Sequence, residues 1–239
     1  MNILLQTRLS WFFLGFFILF LDLALMLKGV TFTPAALTLF SVNSFLYGFY
    51  IAPVLGAQKA RTDELARIVR AEANALFDIL LKTKKLPRKS RNHLQDLVES
   101  YMQASFKQRR PAAGEDEYEE LISYCLDYRG KDPEQIEKIL NGLVLNQQNR
   151  STLAQQLGNK VFSNEWMIML VLFSITTGFV VVLDVKENFI MQLVKALLCT
   201  GLSMLMINLL KLSTLTHKKA RHIWDPLDKL STSRFRRID

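Results

Sequence analysis

The sequence predicts an all-α, polytopic membrane protein: four transmembrane helices in two hairpins, with a helical cytoplasmic domain inserted between them. Three observations predict it. Half of the 239 residues are apolar, and they gather in two pairs of long runs instead of spreading along the chain. Between the pairs lies a polar segment whose apolar residues recur at helical spacing. Charge is placed unevenly: the short connections within each pair hold only Lys28 on one side and Asp184, Lys186 and Glu187 on the other, whereas the tail from His217 to Arg237 is clearly basic. By the positive-inside rule both termini and the middle segment face the cytoplasm. The implied organisation is a first hairpin over 1–56, a cytoplasmic domain over 57–163, a second hairpin over 164–211 and a basic cytoplasmic tail over 212–239.

The first run, about 9–27, follows Arg8. It is long for the apolar core of a secretory signal and no small-x-small cleavage site follows it, so it reads as a retained span. Gly29 to Thr33 forms a short loop, and Pro34 suits the first turn of the next helix. That second run, about 34–55, crosses the bilayer and continues as an amphipathic helix through Leu65, Ile68, Val69, Leu76, Ile79 and Leu80 to about Lys85. Pro53 can kink it. Leu86-Pro87 stops it, because proline disfavours helical geometry in the residue before it.

Ser90 or Asn92 can cap the next helix, with Leu94, Leu97, Val98, Tyr101, Met102 and Phe106 as its apolar face. Arg109 to Gly114 is a loop. Glu115 to Glu120 opens a short helix with acids where the dipole favours them. Asp132-Pro133 starts another, with Gln135 at the capping-box position and Ile136, Ile139, Leu140, Leu143 and Val144 on its apolar face. The chain re-enters the membrane near Asn164, with Trp166 as interfacial anchor. The third and fourth spans follow at about 167–183 and 189–210.

Polar residues inside the spans are the candidate functional positions. Asn43, Tyr47 and Tyr50 share one face of the second helix at i, i+4, i+7 spacing. Copies of such a face around an axis would line a water-filled path; interhelical hydrogen bonding is the competing reading. Asp22 and Lys195 both lie within about 10 Å of the outer boundary, and a lone charge in lipid costs several kcal/mol. They are therefore a candidate charge pair, within a subunit or across an interface, with snorkelling of Lys195 to the headgroups as the alternative. Gln192, Lys195, Cys199 and Ser203 form a polar stripe on the fourth span, and Ser174, Thr177 and Gly178 lie on the third; small and hydroxyl residues of this kind pack helix against helix. Lys218, Lys219 and Arg221 in the tail are candidates for anionic lipid headgroups.

Other chemistry is weakly represented. No nucleophile elbow, phosphate-cradling glycine loop or zinc-protease motif is present, and His93, His217 and His222 lack metal-ligand spacing. The acidic run Glu115, Asp116, Glu117, Glu119 and Glu120 lacks the alternation and glycine of a calcium loop and reads as a solvated helix start. Cys125 and Cys199 belong to no C-x-x-C motif and read as buried structural thiols. No aromatic-interleaved basic motif points to nucleic acid. The expectation is a protein that is not an enzyme and carries no cofactor.

One stretch carries a family resemblance. Glu72, Ala73, Asn74, Ala75 and Leu76 follow the second span, Leu86-Pro87 comes next, and then a helix reaches Tyr101. This acidic-Ala pair, Leu-Pro break and downstream Tyr resemble the bestrophin-like family of mainly bacterial four-span membrane proteins, as does the order of two spans, helical insert, two spans and a tail containing Pro226. The chain departs from the family pattern in two places: Phe106-Lys107 where a Glu-Trp pair is usual, and Pro226-Leu227-Asp228-Lys229 where Pro-Phe-x-Gly is usual. The resemblance implies a bacterial inner membrane and a link to bestrophins, which are pentameric ion channels. It matches no pore residue of theirs to a position here. The expected function is a homo-oligomeric ion channel whose second helix lines the path and extends into a cytoplasmic vestibule, with lipid, further copies of the chain and permeant ions as partners. The alternative is a non-conducting scaffold or regulator acting through the cytoplasmic helices. A transporter fits less well, because four spans without internal repeats lack the usual architecture.

Overall fold

The structure is a computed structural model that describes residues 7–108, 114–159, 161–185, 188–216 and 222–232, of 106–108 the backbone only. Among the described residues eight helices run in the order α1 (Leu9–Met26), α2 (Pro34–Thr83), α3 (Arg88–Gln108), α4 (Glu115–Leu126), α5 (Pro133–Gly158), α6 (Ser163–Val182), α7 (Phe189–Ser213) and α8 (Asp225–Thr232). Among the described residues the extended pairing is a single bridge between Val30 and Leu183. Four helical stretches are long and apolar enough to cross a membrane: α1, α2, the one ending at Val182, and α7. The chain is therefore an all-helical membrane protein.

The chain divides into two compact units, 1–60 with 160–218 and 61–159 with 219–239. In the first unit α1 packs chiefly on α7, and α7 also meets α6. Two apolar clusters hold it. Phe20, Val180, Ala196 and Cys199 form one, with Phe16 and Phe40 against them. Tyr47, Ile51, Val161, Met169, Met206 and Leu209 form the other, with Tyr50 and Trp166 alongside. Elsewhere the spans expose apolar side chains such as Trp11, Ile18 and Leu170, as expected of helices whose solvent is lipid.

The connections Leu27–Thr33 and Leu183–Asn188 are tied to each other. Val30 N–H donates to Val182 O at 2.8 Å, and Asp184 N–H donates to Val30 O at 3.1 Å. Gly29 allows this approach, since a Cβ there would lie 2.5 Å from the Asp184 Cα. Asn188 caps α7 by accepting the Ile190 N–H at 3.0 Å, and Thr33 does the same for Ala36 at 3.3 Å. These side chains satisfy donors that a helix start leaves open.

The second unit is built from amphipathic helices. Leu65, Ile68, Val69, Leu76 and Ile79 of α2 are buried with Leu94, Val98 and Tyr101 of α3, Tyr118 and Leu121 of α4, and Ile136, Ile139 and Leu143 of α5. The helix α8 also belongs to this unit and contacts α3. Its Leu227 and Leu230 are buried.

α2 continues through Pro53. Local details correct two sequence expectations. α3 starts at Arg88, directly after Pro87, so neither Ser90 nor Asn92 caps it; the Ser90 hydroxyl bonds the Tyr128 hydroxyl at 3.3 Å instead. Pro133 does open α5, yet Asp132 makes no side-chain cap. The capping box fails because the Gln135 amide turns away to donate to Lys82 O at 3.0 Å, at the end of α2.

Candidate functional site

In the first unit the polar residues of the second helix are used inside the protomer. Asn43 Nδ2 donates to Leu172 O at 3.2 Å and to Thr176 Oγ1 at 2.8 Å, both on α6. Thr176 in turn donates to Leu172 O at 2.8 Å. Tyr47 is only 2% exposed, and its hydroxyl reaches Leu202 O on α7 at 3.4 Å. Tyr50 packs half-buried against the same cluster. The physical reason is the low dielectric of the span: an amide or phenol there is costly unless it finds a partner, and a neighbouring helix is the nearest one. Asn43 and Tyr47 thus bond neighbouring helices within the protomer, with Tyr50 packed beside them; the sequence had left a path lining and interhelical bonding as the two readings of this face.

The proposed pair of Asp22 and Lys195 is not formed within the protomer. Lys195 is buried, and its ammonium donates to Leu183 O at 2.9 Å, at the end of α6. A cation at a helix C-terminus meets carbonyls that the helix leaves open. Asp22 is exposed, and among the described residues it has no ion pair. Cys199 and Ser203 of the fourth-span stripe are buried, and the Ser203 hydroxyl is satisfied by Cys199 O at 2.9 Å. Lys218, Lys219 and Arg221 lie outside the described residues.

The second unit holds a polar cluster that the sequence reading passed over. Glu72 lies on the inner stripe of α2, and only 1% of its surface is exposed. The Tyr101 hydroxyl donates to Glu72 Oε1 and itself takes a hydrogen bond from Ser105. Among the described residues Glu72 Oε2 has no hydrogen-bond partner. The Arg150 guanidinium, on α5, lies over the Tyr118 ring at 3.8 Å and near the Tyr101 ring at 5.1 Å. Its donors go to Gln147 Oε1 at 2.9 Å and Glu115 Oε2 at 3.3 Å. The Tyr118 hydroxyl donates to Leu143 O at 2.7 Å and accepts from Asn146. Glu115, read from sequence as part of a solvated helix start, is thus the ion partner of a buried arginine.

Burial sets the electrostatics of this cluster. Desolvation drives the Glu72 carboxyl above the ordinary carboxylate value, against the opposing pull of the Tyr101 hydrogen bond and of Arg150. Desolvation and the Glu72 charge raise Tyr101, and desolvation pushes Tyr118 up to about 12. Both phenols therefore remain neutral donors. The cluster borders a cavity of about 240 Å³, whose wall also includes Ser151, Leu153, Ala154 and Trp224.

Sequence could have revealed the cluster. Glu72 continues the spacing of Leu65, Ile68, Leu76 and Ile79, so a carboxylate sits where the stripe calls for an apolar residue. Asn146 and Arg150 do the same in the series Ile136, Ile139, Leu143 and Leu157. Among the described residues no group of acidic, His and Cys side chains could hold a metal ion.

Fold and site together define an all-helical membrane protein with four candidate spans and a buried carboxylate–tyrosine–arginine cluster in its amphipathic helical unit. A Bestrophin-like domain family model matches residues 10–214, and the chain belongs to that family. No curated protein matches, and no solved structure does.

Proposed function

We propose that this chain is the subunit of a homo-oligomeric ion channel of a bacterial inner membrane, with both termini and the amphipathic helices cytoplasmic. Four apolar helices in two hairpins enclose the path in this reading, and the helical insert extends it. Membership of the Bestrophin-like family supports a channel-related role, and bestrophins suggest five subunits. The proposed activity is conduction without catalysis, and the tail residues Lys218, Lys219 and Arg221 meet anionic headgroups.

One observation carries the reading. The face of α2 opposite Asn43 and Tyr47 has no partner among the described residues of the protomer: Phe45 and Phe49 are 69% and 68% exposed, and their rings stack at 5.9 Å. Gly48 beside them has nothing within 4 Å of a Cβ position. Rings of such side chains around an axis make an apolar constriction, which gates by excluding water. The proposed path lining therefore shifts from the polar face of α2 to this aromatic face.

Purified protein in planar bilayers tests this. Wild type is expected to pass current, and Phe45→Ala with Phe49→Ala to raise it or loosen its gating. Purified oligomer that passes no current would reject conduction in favour of a scaffold or regulator.

A further inference from the structure

We propose that the turn between α2 and α3 is a binding site for a soluble ligand carrying several linked phosphate groups, held by Lys85, Arg88, Lys89 and Arg91. All four belong to the second unit, and none of them lines the cavity beside Glu72.

Between Asp78 and Asp96 the sequence holds six cations, Lys82, Lys84, Lys85, Arg88, Lys89 and Arg91, and no acid. Lys82 pairs with Asp78 at 2.7 Å. Among the described residues Lys85, Arg88, Lys89 and Arg91 enter no ion pair. The turn that carries them is fixed from inside. Thr83 and Leu86 are buried, the Thr83 hydroxyl donates to Leu80 O at 2.7 Å, and the Leu86 N–H donates to Thr83 O at 3.0 Å. With those side chains turned inward, Lys85, Arg88 and Lys89 stand exposed and Arg91 half-buried. The connection between α4 and α5 reaches the same end of the unit, through the bond between the Ser90 and Tyr128 hydroxyls and the bond from Gln135 to Lys82 O. Its own charges balance, Arg129 and Lys131 against Asp127 and Asp132, and Lys138 pairs with Glu134 at 2.6 Å. The positive excess of the α2–α3 turn is therefore not neutralised from there.

This arrangement costs the unit stability until an anion arrives. Adjacent cations repel at separations inside the screening length of about 8 Å. Arg88, Lys89 and Arg91 also fall in the first turn of α3, which holds no acid and where the helix dipole disfavours positive charge. A ligand with one negative charge matches one of the four cations. A chain of phosphates brings several negative charges a few bonds apart and matches the whole group. Arg88 and Arg91 supply planar forks that take phosphate oxygens in pairs, and Lys85 and Lys89 add point charges.

Calorimetric titration of the full-length protein, in a maltoside detergent and HEPES buffer, tests the site. Sodium tripolyphosphate is the probe. Glycerol 1-phosphate stands for a single lipid-headgroup phosphate and hexaglutamate for an acidic protein segment. Saturable binding of tripolyphosphate is expected, tighter than that of either comparison and weakening as potassium chloride is raised. Arg88→Gln with Lys89→Gln is expected to weaken it at least about tenfold. Lys85→Gln with Arg91→Gln is expected to do the same, which keeps the test decisive should one pair fail to fold. Lys59→Gln with Arg70→Gln removes equal charge from exposed positions elsewhere on α2 and is expected to leave binding unchanged. Absence of saturable tripolyphosphate binding, glycerol phosphate or hexaglutamate binding as tightly, unchanged affinity in a folded turn variant, or an equal loss in the Lys59 and Arg70 variant would overturn the proposal.

Discussion

The Tyr101 hydroxyl donates a hydrogen bond to Glu72 Oε1, joining α3 to α2 across 29 positions of sequence. Both belong to the motif that carries the family resemblance: the acidic-Ala pair contributes one and the downstream Tyr the other. The Leu86-Pro87 break between them turns the chain so that α3 lies back on α2, with Leu86 itself buried. Motif elements that look independent along the chain are parts of one contact.

That contact makes Tyr101→Phe informative. The substitution keeps the ring under Arg150 and removes only the donor, leaving a buried carboxyl oxygen unmatched. Loss of roughly 1–3 kcal/mol is expected, read as a lower denaturation midpoint of the solubilised protein. In a cycle with Glu72→Gln the two changes should be non-additive, and simple additivity would separate the residues energetically.

Glu72 also predicts how stability follows pH. Its carboxyl is raised in the folded state, chiefly by desolvation. Below the ordinary carboxylate value both folded and unfolded forms carry the proton, and the contribution is fully present. As pH rises, the unfolded state ionises first and stability is lost until the pH passes the raised value. Thermal unfolding followed as pH rises from about 4 should show that decline in wild type and a flatter profile in Glu72→Gln.

Gly114 is the third point of leverage on the cluster. It precedes α4 with φ of 79°, and a Cβ would meet Ser105 Oγ at 2.7 Å and the Tyr101 ring at 2.9 Å. Gly114→Ala therefore combines a left-handed backbone penalty of about 1–2 kcal/mol with displacement of the ring that holds Glu72. Its destabilisation should exceed that backbone penalty, and Tyr101→Phe should add less to it than to wild type.

In the unit of apolar helices, Asn43→Leu removes two hydrogen bonds to α6. A loss of about 0.6–2 kcal/mol is expected, measured by unfolding in mixed detergent micelles. Ion selectivity should be unchanged in bilayer recordings. A selectivity shift would return Asn43 to the path lining.

Lys195 and Asp22 are expected to behave independently. Lys195→Met leaves Leu183 O without its ammonium donor and should destabilise, whereas Asp22→Asn, at an exposed position, should not. The double variant should match the sum within about 0.5 kcal/mol. Strong coupling would mean that the two charges meet across subunits.

Much of this protein was determined by sequence alone, because the relevant physics is local. Long apolar runs give helices long and apolar enough to cross a membrane, as α1 and α7 are. Apolar residues at helical spacing give α3 and α5 one buried face each, and Pro87 and Pro133 lie where one helix has ended and where another opens. The motif from Glu72 to Tyr101 was likewise legible as a string. Partnership was decided only by tertiary structure. Asn43 could have faced water or another helix, and it bonds α6 because Thr176 and Leu172 O stand opposite it. Lys195 could have met Asp22, and the open carbonyl at the end of α6 is what it reaches. Glu72 sits in the apolar stripe of its own helix, yet only the packing of α3, α4 and α5 brings Tyr101, Glu115 and Arg150 around it. A helix's period says which side chains share a face; what that face meets depends on segments distant along the chain, and there the energy of a buried polar group is decided.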